Sequence, residues 1–322
     1  MSAIEILGED ARIWAERRHQ FLGGALVTLS AVAIAIVPTL ARLAYDGGSD
    51  TLTVIATRSV VSALSCFLVS IALRRPLAIA RKPLAISMAL GVLYAIHLYG
   101  VLEAVHYLPV NMVIVIFYLH PLIVGVIAML AGRDKMGWKT FSALAAAFIG
   151  LGLAIGFSFN DVNMFGVALA LMAALLAAAI IIGGSHAMRE CDSLAFTSYM
   201  MLSAAIVLAI VGLNQGMHWP VAALGWVGCA GVAVAYTIGT TTFFAAIPLV
   251  GAVRAAMISN VEPVLGILFA IAILGETVSP LQGLGMATVI GSIFAMEATR
   301  SPATTGAGRD RKPSKPSPEL AT

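Results

Sequence analysis

Ten apolar runs, each about long enough to cross a lipid bilayer as a helix, dominate this chain of 322 residues. The hydrocarbon core is ~30 Å thick and takes ~20 apolar residues at ~1.5 Å of rise each. Runs of that length occupy about 21–43, 51–73, 84–106, 109–131, 138–158, 164–187, 194–215, 221–246, 251–274 and 280–299. In lipid every backbone polar group must bond within its own helix or within a closed barrel, so few folds remain open. A barrel needs strands of ~10 residues with alternating polarity. Stretches such as ALAAAFIGLGLAIG (143–156) are apolar on every face instead. Only 11% of residues are charged, against about 25% in soluble domains. The chain is read as an all-α membrane protein of ten transmembrane helices.

The first twenty residues are charged and carry Ile4, Leu7, Ile13 and Trp14 at helical spacing, which predicts a short amphipathic flank. The apolar stretch behind them is too long for a cleaved leader. Cys66, Cys191 and Cys229 are scattered and odd in number, so neither a disulfide framework nor a metal site is expected. No cofactor is expected either.

Basic residues settle the expected orientation. With the N-terminus inside, sixteen of the nineteen Lys and Arg fall in cytoplasmic segments, from Arg12 to Lys315. One, Arg42, lies outside, and Arg58 and Arg254 lie within spans. That asymmetry is the positive-inside pattern, and it implies an even number of spans with both termini cytoplasmic. Residues 300–322 are rich in Pro, Ser, Thr and charge, and read as a disordered cytoplasmic tail. Its basic cluster suits anionic headgroups, although a plainly solvated tail that also marks the inside explains it better.

Sliding the chain over itself by 142 residues lays Pro121 over Pro263, His120 over Glu262, Ala104 over Ala246 and Asp134 over Glu276. The organisation follows: a segment at 1–20, five helices over 21–158, an external linker at 159–163, five helices over 164–299, and the tail. Five is odd, so the second copy enters the membrane from the opposite side. Inverted-topology repeats are the means by which many secondary transporters build a midplane site.

Three stretches carry a family likeness: SAVAIAIVPTLARLAY (30–45), the arginine of TLTVIATRSV (51–60), and EPVLGILFAIAILGETVSPLQGLG (262–285). The chain resembles ten-helix members of the drug/metabolite transporter superfamily of the EamA type over roughly 24–298. The first half departs from the pattern, with AGRDKM (131–136) where Gly-Glu is usual; Asp134 stands in its place. The resemblance implies transport of small organic metabolites, often amino acids or related compounds, by proton coupling or exchange. It allows both export and import, and favours export.

Ionisable residues at membrane depth cost ~2.5–3.5 kcal/mol or more at a helix centre and mark function. His97, His120 and Glu262 fall mid-span, and Arg58 about a third of the way in from the outer face. Glu103 and His106 approach the outer end, and Arg254 the inner. The repeat places His120 and Glu262 at equal depth on related helices. In the family these fourth and ninth helices line the central cavity, so the two residues are expected to face it, with His97 nearby. An imidazole titrates near neutral pH and suits proton exchange. Arg58 has three readings: snorkelling outward, pairing with Glu103, or meeting an anionic group of the substrate. Tyr94, one turn before His97, and Tyr236 are the tyrosines expected at the site. Pro121 and Pro263 are candidate hinges. The bland alternative for each polar residue is a packing hydrogen bond between helices.

Glycines at 152, 156, 225, 228, 231, 283, 285 and 291 suit close helix contacts within a monomer or, second, a homodimer face. No P-loop, GxSxG or HExxH motif is present, and the bases are spread as topology signals rather than as a nucleic-acid surface. The sequence is thus that of a non-enzymatic secondary transporter in the cytoplasmic (inner) membrane, surrounded by lipid. The amino-acid-like cargo is small and polar or amphipathic. A membrane enzyme acting on lipid-linked substrates, or a non-transporting sensor, are the alternatives.

Overall fold

In the computed structural model, residues 3–131, 138–155, 163–275 and 277–299 are described. All regular structure among them is helical. α1 (Ala3–Ala35) continues without a break from the charged N-terminal residues into the membrane, so the short separate flank is one rod with the first span. At Ile36, two residues ahead of Pro38, it yields to α2 (Val37–Asp46). The proline ring clashes with the turn before it and cannot donate, which breaks the rod there. Then follow α3 (Thr51–Ala72), α4 (Arg81–Ala104), α5 (Val110–Phe117), α6 (His120–Leu130) and α7 (Trp138–Ile155). The second half runs α8 (Met164–Ala187), α9 (Ser193–Gln215), α10 (Ala223–Val250), α11 (Ala252–Ile258), α12 (Glu262–Phe269) and α13 (Pro280–Thr299).

Counted as spans, α1 with α2, α5 with α6, and α11 with α12 are single crossings. Among the described residues eight crossings are long and apolar enough to traverse a membrane, and Phe141–Ile155 and Pro280–Ala295 are shorter apolar helices. Together they are the ten expected. The eighth span ends at Val250, later than the 246 expected from the sequence. Pro248 sits inside α10, and Gly251, with φ at 84°, ends that helix in a conformation that favours glycine.

Packing between the halves follows a twofold scheme. α4 lies on α8 and α9, and correspondingly α10 lies on α1, α2 and α3. α3 packs on α9 and α7 on α13, each pair being its own counterpart. Exchanging the halves maps this set of contacts onto itself, as an inverted repeat requires. The outer surface is apolar, with Leu68, Leu213, Val221 and Phe294 well exposed. That is an aggregating surface in water and a solvated one in lipid. Within, small residues and Phe196, Met200 and Met201 fill the core.

Two glycine contacts set helix spacing. A Cβ on Gly285 of α13 would lie 2.6 Å from the Gly150 carbonyl oxygen of α7, and one on Gly91 would press on Ser203 of α9 at 2.7 Å. The sequence pointed to Gly152, which faces open space. The α7–α13 contact runs through Gly150 instead, about 200° away around the helix.

The loops separate by charge. On one face Arg75 meets Asp192 at 3.7 Å and Lys82 meets Glu190 at 3.0 Å. This basic face is opposed by one where Asp50 caps α3 and lies 3.7 Å from His218. Asp134, Glu276, the linker residues 159–162 and the tail lie outside the described residues.

Candidate functional site: a mid-depth cavity between the halves

Both spans that carry the candidate midplane residues are broken just before them. In α6, His120 and Pro121 are the first two residues, after a turn at Tyr118–Leu119. In α12, Glu262 and Pro263 hold the same positions, after a 3-10 turn at Ser259–Val261. The cause is local. A proline lacks the N–H that would bond the carbonyl four residues earlier, and its ring crowds that carbonyl. For Pro121 that carbonyl belongs to Phe117, and it accepts instead from His120 Nδ1 at 3.1 Å. The proline thereby frees the group that orients the histidine beside it. His97 is fixed similarly, by Nδ1 at 3.0 Å from the Ala173 carbonyl of α8. A carbonyl only accepts, so both imidazoles carry their proton on Nδ1.

A cavity of about 270 Å³ lies at this depth. Arg58, Tyr94, His97, His120, Tyr236 and Glu262 all line it. Five pairs in its wall are related by the shift of 142 residues: Tyr94 and Tyr236, Leu98 and Thr240, Val101 and Phe243, Phe117 and Ser259, His120 and Glu262. The cavity therefore straddles the pseudo-twofold axis.

An aromatic chain runs along the wall. Tyr236 and Tyr94 have ring centroids 6.4 Å apart, Tyr94 and His97 5.8 Å, His97 and Phe117 5.2 Å. Phe117 stacks on His120 at 4.8 Å, and His120 lies 5.8 Å from Tyr118. At one end Tyr118 donates its hydroxyl to Glu262 Oε2 at 3.1 Å. At the other the Arg58 guanidinium sits 4.0 Å from the Tyr236 centroid. Such cation–π contacts contribute about 0.5–2 kcal/mol, more where water is excluded.

Two expectations for Arg58 are corrected. It does not snorkel, because its side chain lies inward on Tyr236 with Nε buried. Nor does an Arg58–Glu103 ion pair form among the described residues; Glu103 stands 4.0 Å from His106 instead. Glu103 is six residues past His97 on α4, about 600° of rotation, so it points well off the face that lines the cavity. Glu103 is absent from the cavity wall.

A second cavity, of about 520 Å³, shares Ile34, Arg58, Tyr118, Tyr236 and Glu262 with the first and extends to Arg42, Thr277 and Gln282. Those four polar side chains thus form a neck on a route from the face opposite the basic one. On the basic side a separate cavity of about 190 Å³ is lined by His186, Arg189 and Arg254. No residue is common to it and the central cavity, and fully buried Val124 closes its inner end with Ile182 and Val250. Tyr118 is the residue sequence reasoning undervalued. On an unbroken helix it would point about 200° from His120; the intervening turn brings both to one cavity.

No group of three or more His, Cys, Asp or Glu suited to a metal ion occurs among the described residues. A protein of Bacillus subtilis (strain 168) described as the uncharacterized transporter YcbK is 24% identical over 294 residues, covering 87% of this chain and 94% of that protein. A solved crystal structure with 13% identity superposes with a TM-score of 0.74, over 87% of this chain and 98% of its own, so the fold is shared. The model of the EamA-like transporter family matches twice, at residues 21–156 and 164–297. Those two matches are the two halves whose paired residues wall the cavity, and the chain belongs to the EamA-like transporter family.

Proposed function

We propose that this membrane protein is a secondary active transporter that exports a small polar or amphipathic, amino-acid-like metabolite across the cytoplasmic membrane. Both termini lie in the cytoplasm, and the protein works as a monomer or homodimer. The observation that carries this reading is the cavity itself: five repeat-related pairs around a buried carboxyl and two imidazoles, at the depth where both halves break their helices. A site on the axis of an inverted repeat can be offered to each side in turn as the halves exchange conformations.

In that cycle the short turns ahead of Pro121 and Pro263 take up the change of helix direction. Glu262, His120 and His97 are groups that can gain or lose protons as access alternates, which supports proton coupling or exchange. With the basic face taken as cytoplasmic, the larger cavity reaches the exterior and the layer at Val124 closes the cytoplasmic side. The test is counterflow in proteoliposomes with a panel of labelled metabolites, comparing wild type with Glu262→Gln. Loss of at least about tenfold in rate or of its pH response is expected. Wild-type rates and pH response with every accepted metabolite would sink the reading.

A further inference from the structure

Among the described residues, Arg58 is the only Lys or Arg in the wall of the central cavity. Its guanidinium carbon lies over the Tyr236 ring at 4.0 Å, its Nε is buried with no hydrogen-bond partner, and it forms no ion pair among the described residues. Glu262 lines the same cavity and has Tyr118 as its hydrogen-bond donor, again with no ion pair among the described residues. A buried cation left without a counter-charge is costly. A guanidinium offers a planar fork of donors, the geometry that grips a carboxylate with two parallel bonds.

A purely structural role for Arg58 is poorly supported. α3 and α10 are already joined by Ser62 and Thr237 at 2.8 Å and by Cys66 and Thr241 at 3.2 Å. The route also has a sign. Among the described residues, Arg42 lines the outer cavity, Arg58 the neck, and Arg189 and Arg254 the basic-side cavity, against the acid Glu262. Clefts lined by one sign of charge concentrate ligands of the other.

We propose that the cargo carries a carboxylate received by Arg58 on its Tyr236 seat, with its amino group turned to Glu262 and Tyr118 and its apolar part against the aromatic wall. This rests on the transport reading above and assigns polarity to that same site.

Three probes share one carbon skeleton and differ in charge: norleucine, norleucinamide and hexanoate. Each is titrated calorimetrically into the purified full-length protein in detergent. Wild type is expected to bind norleucine about tenfold or more tighter than norleucinamide, the scale of a charge-assisted bidentate contact. Hexanoate is expected to bind more weakly than norleucine, for want of the amino group. Arg58→Gln should bring the norleucine-to-norleucinamide ratio close to one, while Arg58→Lys retains part of it. A merely structural arginine would weaken all probes alike and leave that ratio unchanged. A wild-type ratio near one, or a full ratio in Arg58→Gln, overturns the assignment, and the wild-type ratio decides even if the variant fails to fold. Counterflow that depends on Glu262 with a ratio near one overturns this inference alone. Absence of any counterflow overturns the transport reading beneath it.

Discussion

Tyr118 and Glu262 form a side-chain hydrogen bond between broken spans of opposite halves, at 3.1 Å. It joins α12 to the residue that follows α5. Removing the hydroxyl leaves a buried carboxyl with one fewer donor, and such a loss costs about 1–3 kcal/mol. Tyr118→Phe is therefore expected to lower the thermal unfolding midpoint in detergent. Tyr118→Phe with Glu262→Gln should lose no more than the sum of the single variants, with a coupling of about 0.5 kcal/mol or more between them. Purely additive losses would show that the bond does not matter to the fold. His97, His120 and Glu262 stand out in the sequence as ionisable groups in apolar runs, and the fold brings all three to one cavity. Glu103 is as conspicuous in composition but faces elsewhere on its helix and lies outside that wall.

At the scale of elements, caps and breaks decide where helices begin. Asp50 caps α3 by accepting from the Thr53 amide at 3.0 Å. Its burial acts to raise the carboxyl pKa. Hydrogen bonds from the Thr53 hydroxyl and amide and from the His218 amide, with the His218 ring nearby, outweigh that and hold it below the ordinary carboxylate value. A carboxyl depressed in the folded state stabilises at neutral pH, and the contribution fades as pH falls through that lowered value. Asp50→Ala is expected to cost about 0.5–2 kcal/mol in thermal unfolding at neutral pH, with the gap to wild type closing under acid. An unchanged gap at low pH would refute the cap's electrostatic share. α8 and α9 likewise begin behind short side-chain caps, Asn163 and Asp192. The interruptions at Ile36 and Tyr118–Leu119 were less legible in the sequence, since periodicity assumes a continuous turn of 3.6 residues and a break resets which side chains share a face. Pro121 and Pro263 announced the breaks, but not which neighbour each break would swing inward.

For the whole molecule, the 142-residue register was the most informative part of the sequence. It related His120 to Glu262 before any packing was known. The pairing of Tyr94 with Tyr236 follows the same register but was hidden among other tyrosines, which sit in membrane proteins for many reasons. The open outer cavity and the closed layer at Val124 make an accessibility prediction. In a background with Cys66, Cys191 and Cys229 replaced by Ala, Gln282→Cys should react readily with an impermeant thiol reagent added from the face opposite the basic one. Val124→Cys should be unreactive until cargo is supplied, and then label from the basic face. Equal labelling of both positions without cargo would contradict the closed layer.

The kink at Ile36 has no equivalent in the second half, where the register puts Ile180 opposite Pro38 inside the unbroken α8. A duplicated carrier with identical halves would have inward- and outward-facing forms of equal free energy. On the transport reading proposed above, halves that differ in this way leave the two facing forms unequal in free energy, and the empty protein is expected to favour one of them. A ligand arriving on the disfavoured side must first draw the protein out of its resting state, which weakens apparent affinity by the fraction of molecules so oriented. The same cargo will thus show different half-saturation on the two sides of the membrane. Such one-sidedness governs the speed of traffic in each direction, but leaves the final gradient to the coupled ion or exchanged solute.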